Sequence, residues 1–235
     1  MSKIWHISDT HCNHDQIIVP DNIDIVIHSG DASNYLDPIY NEPEIHKFLM
    51  WFAALPIQRK VFVAGNHDTS IERGMIRPEY IEGCGIHYLY NSDVTIEGLK
   101  IWGSPYTPTF GDWAFMKNRS KISRVWELIP DDADIVVTHG PPKGILDTTY
   151  RRDNITELCG CSALRKRIQD VEPQLMCFGH IHNFKDITNA GTKRVAGLKT
   201  IFSNGACSTD RKIGAITSHG NIIELPHENL ETKNE

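Results

Sequence analysis

Five short apolar runs in this chain end in residues that can bind metals. Lys3–Ser8 leads into Asp9-Thr10-His11, and Asn22–Ser29 into Gly30-Asp31. Lys60–Ala64 leads into Gly65-Asn66-His67-Asp68, Ala133–Val137 into Thr138-His139-Gly140, and Leu175–Phe178 into Gly179-His180-Ile181-His182. Near-continuous apolar runs of this length suit strands buried on both faces. In α/β sheets, ligands bind beyond the carboxyl ends of the strands. The five endings are therefore expected to converge on one rim.

Helices alternate with these runs. Ile45, Phe48, Leu49, Phe52 and Leu55 fall on one helical face. Asn41 is the expected N-cap, with Glu44 three residues on and Pro56 as the stop. Further helices are expected over Ser123–Ile129 and Ser162–Val171, the second stopping at Pro173. Val94–Trp102 reads as a hairpin turning at Glu97-Gly98, and a last hairpin is expected across Ser218–Asn221. The mixture predicts an α/β fold with sheets between helix layers. One domain is expected over 1–227, with a disordered tail at 228–235.

The 24 basic and 30 acidic residues leave a net charge of −6, which argues against stable binding to long nucleic acids. No apolar run approaches the roughly 18 residues of a membrane span. The chain enters a strand-like run at once, so no signal peptide is expected. The six cysteines match no zinc pattern, and Cys159-Gly160-Cys161 is too close for a zinc pair. Reduced thiols in a cytoplasm are the expectation.

The strand ends supply Asp9, His11, Asp31, Asn66, His139, His180 and His182 as candidate ligands. Their mixed nitrogen and oxygen donors suit Mn, Fe, Zn, Ni or Co. They are too many for one tetrahedral ion and fit two ions sharing a carboxylate. Paired ions about 3.5–4 Å apart are the usual clamp on the attacking and leaving oxygens of a phosphate ester.

The five blocks, in this order, resemble the signature of calcineurin-like metallophosphoesterases. Thr138-His139-Gly140-Pro141-Pro142-Lys143-Gly144, Gly103-Ser104-Pro105-Tyr106-Thr107-Pro108 and Phe178-Gly179-His180-Ile181-His182 are similar to the metallophosphoesterase-domain proteins and related cyclic-nucleotide phosphodiesterases. Ala32-Ser33-Asn34 follows Gly30-Asp31 where protein Ser/Thr phosphatases carry Asp-Arg-Gly, which counts against that activity. The resemblance implies a four-layer α/β/β/α sandwich of two mixed sheets. It implies one divalent ion on Asp9, His11, Asp31 and His182, and a second on Asp31, Asn66, His139 and His180. Asp31 bridges, since a carboxylate has two oxygens. Manganese is the expected ion; the same donors accept Fe, Zn, Ni, Co or Mg. A hydroxide held between the ions would attack phosphorus, with His67 as acid toward the leaving oxygen. Asp68 would orient His67 or cap the following helix.

The implied function is hydrolysis of small phosphodiesters, including 3′,5′- or 2′,3′-cyclic nucleotides. A nuclease or phosphomonoesterase is the alternative enzyme, and a non-catalytic binding module the alternative of another class. Candidate substrate contacts are His14, Asn34, Tyr106 and Trp113. His14 has a second reading as a solvated loop residue. Tyr106, Phe110 and Trp113 either present a wall for a base or pack on one another. His6, His28 and His87 are expected to be structural, and His46, His219 and His227 to lie at the surface. Arg151 and Arg152 read as a solvated pair, and Asn204 as a buttress. No membrane partner is expected, and nothing in the sequence specifies an oligomer.

Overall fold

The apolar runs form the inner strands of two sheets in a computed structural model that describes residues 1–226 apart from 152, 210 and 211. Strand β1 (Ser2–Ile7) leads through one 3-10 turn (His14–Gln16) to β2 (Ile25–His28), helix α1 (Pro38–Ala54) and β3 (Arg59–Phe62). Short helices α2 (Thr69–Glu72) and α3 (Pro78–Gly83) precede β4 (His87–Tyr88). The hairpin β5 (Ser92–Ile96) and β6 (Leu99–Ser104) comes next, then the short pair β7 (Thr107–Pro108) and β8 (Met116–Lys117). Helix α4 (Ser123–Trp126), β9 (Ile135–Thr138) and the small hairpin β10 (Thr148–Tyr150) and β11 (Thr156–Leu158) follow. Helix α5 (Ser162–Val171), β12 (Leu175–Phe178), β13 (Gly191–Arg194) and β14 (Ile201–Asn204) complete the second sheet. The pair β15 (Ser208–Thr209) and β16 (Lys212–Ile216) precedes β17 (Asn221–Leu225).

The first sheet has the order β17-β1-β2-β3-β4 and the second β13-β14-β12-β9-β6-β5. Strands β1 to β4 run parallel, as do β14, β12, β9 and β6. The edges β17, β13 and β5 are antiparallel, so both sheets are mixed.

Side chains alternate between strand faces, and that alternation sorts the core into three layers. Ile4, Ile25, Ile27 and Val61 meet Ile101, Ile135, Val137 and Leu175 between the sheets. Trp5, Val26 and Phe62 face outward onto Ile45, Phe48, Leu49 and Phe52 of α1. Trp102, Val136, Met176 and Phe202 face the opposite way onto Trp126, Leu164 and Ile168 of α4 and α5. The result is the expected α/β/β/α sandwich. A full-length phenylalanine such as Phe48, stacked on Phe52 at 5.3 Å, contributes about 1.5–3 kcal/mol by burial.

Three local expectations change. Helix α1 starts at Pro38, with Asp37 accepting the Ile39 N–H at 2.9 Å, not at Asn41. Asp37-Pro38 is the stronger start, because proline pre-sets the first helical position. Pro43 removes one hydrogen bond inside the helix without ending it. The last segment is not a hairpin: β16 pairs with β15, whereas β17 crosses to the other sheet and pairs with β1. Ser218–Asn221 is that crossing, held by the Trp5 indole donating to the His219 carbonyl at 2.8 Å. His87 is exposed in β4, so it is not a structural histidine. Arg152, His227 and the tail at 228–235 lie outside the described residues.

His6 and His28 are fully buried. His6 ties the two sheets together, with Nδ1 2.7 Å from Ser203 Oγ and Nε2 2.9 Å from Ser29 Oγ. Burial pushes both imidazoles from the usual 6.5 down to about 3. Above pH 6.5 folded and unfolded chains both hold them neutral. Below it the unfolded chain binds protons that the native fold refuses, so stability falls as pH drops toward 3. The denaturant midpoint of the metal-free protein should decline steadily from pH 7 to pH 4. A flat midpoint over that range would contradict the assignment.

Candidate metal centre

Strands β1, β2 and β3 deliver Asp9, His11, Asp31, Asn66 and His67 from one sheet, and β9 and β12 deliver His139, His180 and His182 from the other. The site therefore lies where the carboxyl ends of both sheets meet. Asp9, His11, Asp31, Asn66, His139 and His182 are buried there. His67 and His180 are half-buried at the mouth.

The ligand atoms of Asp9, His11 and His182 lie within 4.8 Å of one another. Those of Asp31, His139 and His180 form a second set by the same measure, and those of His11, Asp31 and His67 a third. Asn66 Oδ1 lies 2.8 Å from His139 Nε2, which places it with the second set. Asp31 stands between the sets. Its Oδ2 is 3.3 Å from His139 Nε2 and 3.9 Å from His11 Nε2. Its Oδ1 accepts the His67 backbone N–H at 2.7 Å. One oxygen, Oδ2, thus faces both sets.

These residues fit divalent ions. His11 Nδ1 lies 3.1 Å from the Ser33 carbonyl and His139 Nδ1 2.9 Å from the Ser29 carbonyl, so each Nδ1 carries the proton and aims Nε2 at the centre. His11 Nε2 is buried and makes no hydrogen bond. Such an orphaned acceptor costs about 1–3 kcal/mol, which coordination would recover. One ion would be held by Asp9, His11, Asp31 and His182, the other by Asp31, Asn66, His139 and His180.

Charge at the site follows from these contacts. Burial works to raise the Asp9 and Asp31 carboxyls, but His182 beside Asp9 and His139 beside Asp31 hold both below the usual carboxylate range. Burial pushes His11 down to about 4, so it is neutral and ready to ligate. Burial also works to lower His139, but the adjacent Asp31 carboxylate outweighs it and pushes His139 up to about 9.

Backbone conformation sets these directions. Asp9, His11, Asp31 and His180 all have positive φ, at 53°, 41°, 54° and 69°. The Gly179–His182 segment is therefore not extended. The turn at His180 sends its ring toward His139, at 4.9 Å, while His182 Nε2 reaches Asp9 Oδ1 at 3.0 Å. Gly179 permits this, because a Cβ there would lie 2.1 Å from Asp9 Oδ2 and from Ser8 Oγ. Asn204 buttresses the turn by donating from Nδ2 to the Ile181 carbonyl at 2.9 Å.

Asp68 does not orient His67, and its side chain does not cap α2. It accepts from the backbone N–H groups of Asp31, Ala32 and Ser33 at 3.1 Å each, from Gly65 at 2.7 Å and from Ser33 Oγ at 2.7 Å. The loop geometry turns the carboxylate under the site, where four amide donors outcompete one imidazole. His67 is steadied instead by the Asn34 carbonyl, 3.1 Å from Nδ1. Asn34 thus acts through its backbone, and its side chain is exposed.

Two other candidate substrate residues also move. His14 is buried against Trp51 and Phe48 of α1, at 5.1 and 5.8 Å, and is not solvated. Tyr106 turns away toward Tyr90 and Phe115. Trp113 and Phe110 remain at the mouth, Trp113 4.7 Å from the His67 ring and Phe110 5.1 Å from that of His180. Arg151 pairs with Asp153 at the surface, at 3.5 Å.

The sequence reading missed Asn41 and Ser33. Asn41 is wholly buried, donates to Ser33 Oγ and the His67 carbonyl at 2.9 Å each, and accepts from Ser70 N and Oγ. A signal was available: Asn41 lies four residues before Ile45, on the apolar face of α1.

Two measurements check this geometry. Metal must displace one proton from His139, so apparent affinity should rise about tenfold per pH unit through the neutral range and level off near pH 9. Affinity that is flat between pH 6 and 9 would contradict the Asp31–His139 pairing. Asp68→Asn replaces an acceptor with a donor among four amides, so it should lower stability by about 1–3 kcal/mol or more and weaken metal retention. Unchanged melting and metal content would show that the carboxylate does not organise the loops.

Comparison with known proteins follows the same residues. The calcineurin-like phosphoesterase family pattern matches residues 2–184. Metallophosphoesterase domain-containing protein 1 of Homo sapiens and of Mus musculus is 33% identical over 210 residues, covering 79% of this chain. The chain spans 62% of the length of those relatives. A Caenorhabditis elegans protein of the UPF0046 group is 31% identical over 226 residues, covering 90% of this chain and 72% of its own. The solved structure of a phosphopantetheinyl hydrolase from Mycobacterium tuberculosis shares the fold, with a TM-score of 0.57 at 15% identity over 89% of this chain and 90% of that one. Among the described residues, no helix is long and apolar enough to cross a membrane. With the five ligand-bearing strand ends all inside the matched region, the chain belongs to the calcineurin-like phosphoesterase family, on the branch of the metallophosphoesterase-domain proteins.

Proposed function

We propose that this protein hydrolyses small phosphodiesters, 3′,5′- or 2′,3′-cyclic nucleotides among them, with two divalent ions of which manganese is the first choice. The observation that carries the reading is the position of His67. It follows ligand Asn66 directly, its ring lies 4.7 Å from that of His11, and the Asn34 carbonyl fixes Nδ1 as a donor. Nε2 is then the atom available for proton transfer. A binding module without turnover has no use for an acid held there.

When bound, the two ions would acidify water to near-neutral pKa and neutralise phosphate charge. The chain's own groups do the rest. Asp31 Oδ2 fixes the spacing of the two donor sets. His67 donates a proton from Nε2 to the departing alkoxide while the Asn34 carbonyl holds Nδ1 and so aims the ring. Trp113 shields that proton transfer from water on one side. Aromatic rings at both ends of the site suit a phosphorus carrying two organic arms, which favours diesters over monoesters.

The purified protein with Mn²⁺ should hydrolyse bis-p-nitrophenyl phosphate. No turnover across Mn, Fe, Zn, Ni and Co would sink the enzymatic reading. His67→Ala should keep both ions and lose about 10²–10⁴ in kcat on diesters with poor alkoxide leaving groups, and much less on p-nitrophenyl esters. Loss of metal in that variant would instead make His67 a ligand.

A further inference from the structure

Four rings form a row across the mouth of the site. His67 and Trp113 are 4.7 Å apart, Trp113 and Phe110 6.0 Å, and Phe110 and His180 5.1 Å. The acid stands at one end of the row. At the other end, beyond Phe110 and His180, a cleft of about 330 Å³ opens between the 108–113 loop and the β10–β11 hairpin. That volume lies at the lower end of the range for small-molecule sites. A larger groove of 680 Å³ lies where α5, β13 and β17 end and β14 begins, and none of the seven candidate ligands of the metal centre lines it.

The cleft is built into the metal centre. Buried Asn189 accepts the Thr148 N–H at 3.1 Å and donates to the Thr148 carbonyl and the His182 carbonyl, each at 2.9 Å. It thereby fixes the base of the hairpin to a ligand residue. Asp147, also buried, accepts from Gly144 N and Gly160 N at 2.9 Å and holds the floor. Arg119 is oriented by the carbonyls of Cys159 and Gly160, which accept from its guanidinium at 3.0 and 3.3 Å. Phe110, Pro141 and Ile181 line the cleft together with Arg119, Thr149 and Glu157.

The leaving oxygen must depart beside the acid, so the other arm of a diester points toward the opposite end of the row. We propose that this cleft holds the arm that stays on phosphorus, and that Phe110 selects a planar, polar-edged ring of nucleobase type there. This rests on the phosphodiesterase reading above. The ring stacks on Phe110, its acceptors face Arg119, and its N–H edge faces Glu157. The arm on the His67 side meets no such enclosure, so its identity matters less.

Three diesters sharing p-nitrophenol as leaving group test the idea, with methyl, p-nitrophenyl or 5′-thymidyl as the retained arm. The Mn²⁺-loaded protein should favour the thymidyl over the methyl diester at least tenfold in kcat/KM. Phe110→Ala should reduce that ratio about tenfold, mainly through KM, since stacking acts equally on bound substrate and transition state. Phe110→Trp should restore it. Equal kcat/KM for the thymidyl and methyl diesters, or a ratio indifferent to Phe110→Ala, would overturn the proposal. Failure of the hydrolytic reading is separable. If no diester turns over, calorimetric binding of thymidine 5′-phosphate against methyl phosphate to the same metal-loaded protein still decides. Thymidine 5′-phosphate binding at least tenfold tighter supports the cleft; equal binding overturns it.

Discussion

The centre depends on one buried carboxylate that touches no ligand atom. Asp68 gathers the amides of residues 31, 32, 33 and 65, and so fixes the two loops that carry Asp31, Asn66 and His67. Hydrogen bonds to a charged group contribute about 1.5–3 kcal/mol each. Burial and the neighbouring Asp31 charge work against them and push the Asp68 carboxyl up to about 6. Two cations beside Asp31 would screen that repulsion. Metal and loop order are therefore coupled through two carboxylates on adjacent levels.

Above this support the backbone is strained where chemistry needs it. Four candidate ligands sit in the left-handed region, at about 1–3 kcal/mol each. Two sheets sharing a dry apolar layer keep the strand ends from relaxing, and hydrogen bonds close by complete the restraint. Both Asp9 oxygens accept the His180 N–H, which locks the first strand of one sheet to the β12 end of the other. The imidazoles are thus aimed before any ion arrives, and binding need not order them.

Much of this was legible in the chain because it is written in short periods. Apolar runs of four to six residues marked the inner strands, and the metal-binding residues at their ends marked the rim. Helix α5 and strand β12 fall where periodicity and Pro173 between them put them. What was not legible is what arises between segments. Asp68 follows a histidine in sequence, which makes it that histidine's expected partner, but folding brings four amides closer. Asn41, with Glu44 three residues on, reads as a cap, but its side chain joins α1 to loops 26 and 29 residues away. His14 and Tyr106 sit in loops whose direction no local pattern fixes. The crossing of β17 to the other sheet is a long-range pairing that a turn-like Ser-His-Gly-Asn segment disguises.

The central claim is that Asp31 joins the two donor sets into one dinuclear centre. Electron paramagnetic resonance of the Mn²⁺-loaded protein, read alongside its metal content, tests this directly. The account predicts two ions per chain and an exchange-coupled spectrum that is lost in Asp31→Asn. Full occupancy by two ions giving only isolated, uncoupled manganese signals would contradict it.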